Sequence, residues 1–264
     1  MRYRDFLWCR NYPAQLDFFC PTFFHFFLFL LLYTPTMKLI NLLFPRQCIN
    51  CSTTEAYLCK TCKKKLTPHP EICPYCHRVS KDYKTCIECR TYKSNNLEGI
   101  IIPFAYTDLL KKLIIKLKYF HKKDIGKFLV ERLMVALQVN QNLNENIIIS
   151  FIPSHWYRHY FVKWYNQSEL LARKLSEKLQ VPMVTIAQKK KHTKTQASLD
   201  RNWRLHNLKN TFSLAKNLQL QGNETLLIVD DITTTGSTIN ELAKLIKYYY
   251  PKIKVWWAVL WRHM

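Results

Sequence analysis

The sequence predicts an α/β protein in which a parallel sheet flanked by helices follows a small cysteine-rich module. Two observations carry this prediction. From about Asn95 onward, short apolar runs alternate with amphipathic helical runs, which is typical of a parallel sheet with helices on both faces. Before them, residues 44–90 hold eight of the ten cysteines. A chain of 264 residues is long enough for one mid-sized domain and such a module.

The spacing of these cysteines predicts two structural zinc sites. The pairs are Cys48 and Cys51, Cys59 and Cys62, Cys73 and Cys76, and Cys86 and Cys89. Two thiolates on one tight turn provide half of a tetrahedral zinc site. Eight ligands therefore predict two sites of four thiolates each, with no coordination position left for a substrate. A redox-active dithiol would account for one such pair, but not for four in succession.

The sequence leaves open how the four pairs combine. Sequential pairing places the first two pairs in one site and the last two in the other, whereas a crossed arrangement uses the same spacing. The segment is too short to bury much apolar surface, so metal binding, worth on the order of 10 kcal/mol per site, is expected to replace a core. His69 and His77 also lie here, but eight cysteines leave no need for them as ligands.

Residues 1–36 are predicted to be an apolar extension upstream of the true start of translation at Met37. The run Phe18–Tyr33 is almost wholly apolar, but Pro21 and His25 interrupt it. It is also shorter than the ~20 residues that a spanning helix needs. A membrane anchor is the alternative interpretation of this segment. The module is then expected over residues 37–94 and the larger domain over residues 95–264. Reduced cysteines favour the cytoplasm, with membrane association if the anchor is real.

The larger domain is predicted to contain five strands and four helices. The predicted strands are Gly99–Tyr106, Ile147–Ile152, Met183–Ala187, Thr225–Val229 and Ile253–Trp261. The predicted helices are Thr107–Tyr119, Asp124–Val139, Gln167–Gln180 and Thr238–Tyr249. In open sheets of this class, ligands bind at the carboxyl ends of the strands.

The most informative segment follows the fourth predicted strand. Asp230 and Asp231 end the strand, and a hydroxyl-rich turn then leads into a helix; the turn residues are Thr234, Thr235, Gly236, Ser237 and Thr238. Backbone N–H groups of such a loop and helix N-terminus bind phosphate, and the carboxylates can accept hydrogen bonds from vicinal hydroxyls. A phosphate beside a diol describes a ribose 5-phosphate. An ordinary strand–helix connection with a Ser or Thr cap is the alternative, but the complete run favours the anion site.

Two other nucleotide-binding loops are excluded by the sequence. The segment lacks the Gly-Lys-Ser/Thr of a Walker loop. It is not a Gly-x-Gly-x-x-Gly fingerprint either, since the whole chain has only four glycines.

A second candidate segment leaves the strand that ends near Ile152. Ser154, His155 and Arg158 are expected to contact pyrophosphate or DNA, although a solvated basic loop with aromatic packing is an equal alternative. Aromatic and basic residues alternate over residues 155–165, a composition typical of single-strand stacking grooves. Residues 189–207 form a further basic segment without periodicity, which could close over an anionic substrate or face DNA.

Charge points to a polyanionic partner. Forty Lys and Arg residues against eighteen Asp and Glu give a formal net charge of +22. The basic residues are spread through the chain rather than confined to a tail, so nucleic acid is the expected partner class.

Residues 226–238 resemble the phosphoribosyl-pyrophosphate loop of type I phosphoribosyltransferases. The whole order of motifs from Met37 to Arg262 is similar to that of the ComF family of competence proteins (the ComFC and GntX group). The motifs are the four cysteine pairs, Lys118-Tyr119, Pro153-x-His155, Asn166-Gln167, Thr193-x-x-Gln196-x-x-Leu199, Arg204-x-x-Asn207, Phe212 and the loop at 229–238.

This resemblance implies a type I phosphoribosyltransferase-like fold, an N-terminal zinc finger, a cytoplasmic location and a role in natural transformation. It implies that the protein handles incoming single-stranded DNA together with other DNA-uptake proteins at the inner membrane. Carried over to this sequence, Asp230 and Asp231 bind ribose hydroxyls, and residues 234–238 surround the 5-phosphate of phosphoribosyl pyrophosphate or a nucleotide, with Mg²⁺.

Two departures from the family bear on activity. Lys163-Trp164-Tyr165 replaces the usual Arg-Gly-Phe before Asn166. Thr234 stands where purine phosphoribosyltransferases place an acid, so purine salvage is not supported, whereas orotate-type enzymes lack that acid too. No catalytic residue is identified.

The leading hypothesis is therefore a DNA-uptake protein with a ribose-phosphate site. An active phosphoribosyltransferase on an unidentified acceptor is the alternative, and a sensor that binds without turnover is a third.

Overall fold

The computed structural model describes residues 46–54, 56–92, 96–120, 123–139, 143, 146–153, 166–189, 211–216 and 218–262. The larger domain is a parallel sheet flanked by helices, as predicted. Its strands are β1 (Gly99–Ile101), β2 (Ile147–Phe151), β3 (Ala187–Lys189), β4 (Phe212–Leu214), β5 (Thr225–Thr233) and β6 (Lys254–Arg262). The helices are α1 (Lys60–Lys63), α2 (Ile87–Tyr92), α3 (Asp108–Phe120), α4 (Lys123–Val139), α5 (Gln167–Leu179) and α6 (Ser237–Tyr249), with a 3-10 turn at Lys81–Tyr83.

Four strands form the main sheet in the order β1-β6-β5-β2, and every neighbouring pair is parallel. The first five residues of β5 are all buried, because helices cover both faces of the sheet, and a near-continuous apolar run is the sequence pattern of such a strand.

The two faces of the sheet carry separate cores. On one face Leu113, Leu129 and Leu171 of α3, α4 and α5 pack in one buried cluster. On the other face Ile239 and Leu242 of α6 belong to a second cluster. Successive residues of β6 alternate between them: Trp256 joins the first cluster and Trp257 the second, as the period of two along a strand requires.

The cysteine module packs directly on the sheet. Lys84 forms an antiparallel bridge with Gly99 at the start of β1, and the Thr85 N–H donates to the Glu98 carbonyl at 2.7 Å. Cys48 and Cys62 are buried in the first core, whereas Ile72 is buried in the second. The module therefore lies against the outer edge of β1 at Gly99, and its side chains reach the cores on both faces of the sheet.

The predicted strand Met183–Ala187 is wrong. Met183 makes one isolated parallel bridge to Ile149, but the Ile186 N–H then donates to the side-chain hydroxyl of Ser150 at 3.3 Å. That hydroxyl takes a donor that would otherwise extend the ladder on β2. The chain instead pairs as β3 with β4 in an antiparallel ribbon, which the sequence analysis did not predict.

The remaining boundaries differ mainly at strand ends. β1 stops at Ile101 rather than Tyr106, because Pro103 lacks the N–H that a strand would need. β5 continues through Asp230 and Asp231 to Thr233. Among the described helices, none is long and apolar enough to cross a membrane.

The junction between the module and β1 gives a stability prediction. A Cβ at Gly99 would clash with the Trp256 ring and the Tyr83 carbonyl, so Gly99→Ala is expected to lower the free energy of unfolding by about 1–3 kcal/mol. Gly126→Ala in α4 is the matched control, because its Cβ would approach the Leu117 side chain no closer than 3.4 Å. Alanine has the better helix propensity, so this control should be neutral or stabilising. Equal denaturation midpoints for both variants would contradict the packing at β1.

Candidate functional site

The end of β5, the turn that follows it and the start of α6 form the candidate anion site. We call residues Asp230–Thr238 the anion loop. Gly236 adopts φ 71°, a left-handed conformation, and is the N-cap residue of α6 without a side-chain cap. The N–H of Asn240 donates to the Gly236 carbonyl at 3.0 Å and so starts the helix. A helix N-terminus carries a partial positive charge and oriented N–H groups, which favour a bound anion.

The two carboxylates of the anion loop are held by hydrogen bonds. Asp230 Oδ1 accepts from the Ser168 hydroxyl at 3.0 Å and from the Asp231 N–H at 2.9 Å. Asp231 Oδ1 accepts from the Ile232 N–H at 2.7 Å. Both side chains are only partly buried, so a ligand can reach their carboxylate oxygens.

Ser168 is a site residue that the sequence analysis did not identify. Asn166 caps α5, because its Oδ1 accepts from the Ser168 N–H at 3.1 Å. The Asn166 amide also donates to the Ile152 carbonyl at the end of β2, at 3.0 Å. With the cap supplied by Asn166, the Ser168 hydroxyl is directed to Asp230, and the N-terminus of α5 is fixed beside the anion loop.

The hydroxyl side chains of the anion loop lie at its surface. Thr234 and Thr235 are exposed, and Ser237 and Thr238 are partly buried. The hydroxyls of Thr235 and Ser237 are 2.8 Å apart. Exposed hydroxyls beside a helix N-terminus can donate to phosphate oxygens.

Beneath the anion loop lie two large side chains of β6. A Cβ on Gly236 would be 3.3 Å from the Trp257 ring and 3.6 Å from Arg262 Nη2. Arg262 is only 3% exposed. Burial lowers the pKa of Arg262 to about 10, opposed by the nearby Cys73 sulfur, so the guanidinium is still a cation at neutral pH. No local motif marked this residue.

The eight cysteines of the four Cys-x-x-Cys pairs, each pair being called a knuckle below, form two clusters. In each cluster the two pairs are consecutive in the sequence. Within each cluster all four Sγ atoms lie within 4.8 Å of one another. The first cluster is Cys48, Cys51, Cys59 and Cys62, and the second cluster is Cys73, Cys76, Cys86 and Cys89. The crossed arrangement is therefore not the one adopted, and neither His69 nor His77 belongs to either cluster.

Both clusters are built on the same knuckle geometry. The residue after the second cysteine is left-handed in each, with φ 61° at Ser52 and φ 64° at His77. Its N–H donates back to the carbonyl of the first cysteine, at 2.9 Å to Cys48 and 3.1 Å to Cys73. This closure brings the two thiols of a pair together, so that two pairs supply a four-sulfur site.

The pKa values of the thiols in the second cluster are shifted in opposite directions. Burial raises the pKa of Cys89 to about 12, and the neighbouring thiols add to the effect. Burial also opposes ionisation of Cys76, but hydrogen bonds with Arg78 and the other thiols outweigh it and lower its pKa to about 6. Closely packed thiols cannot all ionise without a compensating charge. Four sulfurs at this spacing fit a tetrahedral zinc ion of the structural type.

Several predicted site residues lie outside the described residues. They include Ser154, His155 and Arg158 of the second candidate segment and the motif residues Thr193, Gln196, Leu199, Arg204 and Asn207. The described part of the site is thus the anion loop, the start of α5 and the residues beneath them.

Comparison with known proteins shows the class and the family of this chain. Residues 166–264 match the phosphoribosyl transferase domain family, which defines the class of the larger domain. The chain is 32% identical over 221 residues to competence protein F of Haemophilus influenzae, covering 80% of this chain and 95% of that protein. It is 30% identical over 196 residues to DNA utilization protein YhgH of Escherichia coli K12, covering 72% and 83% of the two chains.

The same coverage is found for DNA utilization protein YhgH of Salmonella typhimurium, with 30% identity over 197 residues. The chain belongs to the family of competence protein F and DNA utilization protein YhgH. The resemblance to competence proteins inferred from the motifs is thereby confirmed.

Proposed function

We propose that this protein handles single-stranded DNA in DNA uptake and carries a site for phosphoribosyl pyrophosphate or a related ribose phosphate. The observation that carries the second part is the anion loop, in which an oriented acid pair lies beside the N-terminus of α6. Membership of a family with competence protein F and DNA utilization protein YhgH supports the first part. The proposal places the protein in the cytoplasm, beside the DNA-uptake proteins of the inner membrane.

Each part of the anion loop has a role in ligand binding. The N-terminus of α6 and the hydroxyls of residues 234–238 bind the 5-phosphate. Asp230 and Asp231 accept hydrogen bonds from the two ribose hydroxyls, and the Ser168 hydroxyl fixes the orientation of Asp230. Bound together with the pyrophosphate, Mg²⁺ would neutralise part of its negative charge. Thr234 cannot act as a general base at neutral pH. The carboxylates of Asp230 and Asp231 are assigned to the ribose hydroxyls, so the proposal assigns no residue of the anion loop to proton transfer.

The described surface offers a candidate DNA contact at the C-terminal end of α6. Tyr248 is 80% exposed and Tyr249 59% exposed, and their ring centroids are 5.0 Å apart. Three exposed lysines lie close by in sequence, Lys244, Lys252 and Lys254. We call these five residues the tyrosine–lysine surface. Exposed rings beside cations are the composition that binds single strands, because every base can stack on an aromatic face.

The cysteine module adjoins this surface. Glu98 forms ion pairs with Arg90 of α2 at 3.4 Å and with Lys247 of α6 at 3.5 Å. The C-terminal ends of the two helices are therefore joined at one carboxylate. Tyr92, two residues beyond Arg90, is 85% exposed. A single strand that crosses this junction would contact both the module and the larger domain.

Ring removal at the tyrosine–lysine surface tests this contact. Tyr248→Ala with Tyr249→Ala is expected to weaken binding of a labelled oligothymidine by about fivefold or more, since each lost stacked base costs about 1–3 kcal/mol. Tyr248→Phe with Tyr249→Phe is the matched control, because it keeps both rings and should keep the affinity. Fluorescence anisotropy measures both. Equal losses in the two double variants, or none in either, would place the DNA contact elsewhere.

The second candidate function is an active phosphoribosyltransferase, favoured by the match of residues 166–264 to that domain family. Binding and transfer can be separated on one preparation. The protein is incubated with phosphoribosyl pyrophosphate, Mg²⁺ and a panel of nucleobases, and both bound ligand and released pyrophosphate are measured. The proposed function predicts saturable binding without acceptor-dependent pyrophosphate release. Release that depends on one acceptor would establish the transferase instead, and absence of binding would refute the ribose-phosphate site.

A further inference from the structure

Arg262 is the residue at which the second cluster meets the anion loop. Its guanidinium lies at the end of β6, over the Trp257 ring at 5.6 Å. Nη1 donates to the Pro74 carbonyl at 2.7 Å, and Nη2 donates to His77 Nε2 at 2.6 Å. Pro74 lies between the two cysteines of a knuckle, and His77 directly follows it. The guanidinium thus bonds to the knuckle across more than 180 residues of sequence.

On its other side, Arg262 supports the anion loop. Nη2 is 3.6 Å from the position of a Cβ on Gly236, the residue whose left-handed conformation starts α6. The same knuckle also contacts α6 directly, since the Tyr75 hydroxyl donates to the Asn240 side chain at 3.5 Å. Two contacts therefore connect the knuckle Cys73–Cys76 to the first turn of α6 and the loop before it.

The buried charge of Arg262 needs a nearby negative group. Among the described residues no carboxylate forms an ion pair with it, and its Nε has no hydrogen-bond partner. Four thiolates around one Zn²⁺ carry a formal net charge of about −2. A zinc ion held by the second cluster would place this negative charge beside the guanidinium, which bonds to Pro74 and His77 of that cluster's turn.

The first cluster has a different surrounding. Cys48 and Cys62 pack in the core formed with α3, α4 and α5, on the face of the sheet opposite to α6. Among the described residues, hydrogen bonds of its sulfurs stay within the module: the Asn50 amide donates to Cys62 Sγ, and Cys51 Sγ is hydrogen-bonded with the Thr53 hydroxyl. Of the two similar clusters, the second is linked to the anion loop through Arg262, and the described residues show no such link for the first.

From these contacts we propose that Arg262 couples the second cluster to the anion loop, so that metal binding to Cys73, Cys76, Cys86 and Cys89 orders the loop for its phosphate ligand. The closed knuckle holds the Pro74 carbonyl and the His77 ring in place, and these two groups fix the guanidinium beneath Gly236. Coupling is reciprocal, so the phosphate ligand also raises the affinity of this cluster for its metal. Only the ligand arm of the test below rests on the proposed function.

The loop arm uses hydrogen–deuterium exchange on the full zinc-loaded chain and needs no ligand. Cys76→Ser removes a ligand of the second cluster, and Cys51→Ser changes the equivalent position of the first. Cys76→Ser is expected to speed exchange at residues 234–240 by about tenfold, whereas Cys51→Ser should raise exchange only around its own cluster. Arg262→Gln should speed exchange at residues 234–240 while zinc content stays unchanged. Arg173→Gln, on the exposed side of α5, is the charge-matched control and should change neither.

A variant with a smaller structural change keeps the test decisive if the other variants unfold part of the protein. His77→Gly keeps the left-handed backbone, which glycine adopts readily, and removes one of the two groups that hold the guanidinium. It is expected to raise loop exchange by a smaller factor than Arg262→Gln, with an unchanged melting temperature. If His77→Gly, Arg262→Gln and Cys76→Ser all leave exchange at residues 234–240 at the wild-type rate, the coupling does not exist.

The ligand arm measures binding of phosphoribosyl pyrophosphate by calorimetry. Arg262→Gln is expected to weaken it by about tenfold, a typical coupling magnitude, and Arg173→Gln should not change it. Wild-type protein that binds no phosphoribosyl pyrophosphate would refute the proposed ribose-phosphate site, while the exchange result still decides the coupling. Wild-type binding with equal affinity in Arg262→Gln would overturn the coupling and leave the site intact.

Discussion

Replacing Asp230 and Asp231 together by alanine is expected to weaken binding of phosphoribosyl pyrophosphate by roughly tenfold or more. Each hydrogen bond between a carboxylate and a ribose hydroxyl contributes about 1.5–3 kcal/mol. Calorimetry in the presence of Mg²⁺ measures the change. Ser168→Ala should give an intermediate loss, because it leaves both carboxylates but removes the hydroxyl 3.0 Å from Asp230.

The control for this experiment is Glu177→Ala, an exposed carboxylate near the far end of α5. It removes a negative charge from the same helix without approaching the anion loop, so affinity should stay at the wild-type value. Equal affinity in wild type and in the Asp230→Ala, Asp231→Ala double variant would refute the assignment of the acid pair to the ribose.

Cys86→Ser is expected to lower the zinc content from about two ions to about one per chain and to unfold the second half of the module. Binding of a structural zinc contributes on the order of 10 kcal/mol, and the module has little other core. Because Cys86 and Cys48 belong to separate clusters, the first zinc should stay bound. Val79→Ala, on the exposed surface of the same module, is the control and should keep both ions.

Metal analysis and limited proteolysis together decide this prediction. Reduced, freshly purified wild-type protein without bound zinc would contradict the assignment of both clusters. Loss of both ions in Cys86→Ser would instead show that the two clusters fold as one unit.

The sequence predicted those parts of the fold whose determinants are local. The anion loop is one continuous segment, so its acids, hydroxyls and glycine could be recognised in order. The cysteine pairs were equally clear, because Cys-x-x-Cys is a complete half-site. Their assignment to two clusters was not predictable, since the four pairs are locally alike and only the three-dimensional packing of the turns distinguishes them.

The residues that support the site depend on distant contacts and could not be predicted. Ser168 and Asp230 are 62 residues apart, and a serine at a helix start more often serves as a cap. Arg262 ends an apolar strand, and its guanidinium bonds to Pro74 and His77, more than 180 residues earlier in the sequence. The strand expected at Met183–Ala187 failed for a similar reason, because Ser150 on β2 accepts the backbone N–H of Ile186.

The most direct test of the account is the binding of single-stranded DNA by the zinc-loaded chain. Anisotropy titrations compare one labelled single strand with a duplex of the same length over a range of salt concentrations. A chain of net charge +22 with exposed tyrosines is expected to prefer the single strand. Its affinity should fall steeply with salt. The logarithm of the association constant should decrease with the logarithm of the salt concentration, with a slope of about 0.7 per phosphate contact. Tighter binding to the duplex, or single-strand binding that is absent or insensitive to salt, would contradict the proposed role in handling single-stranded DNA.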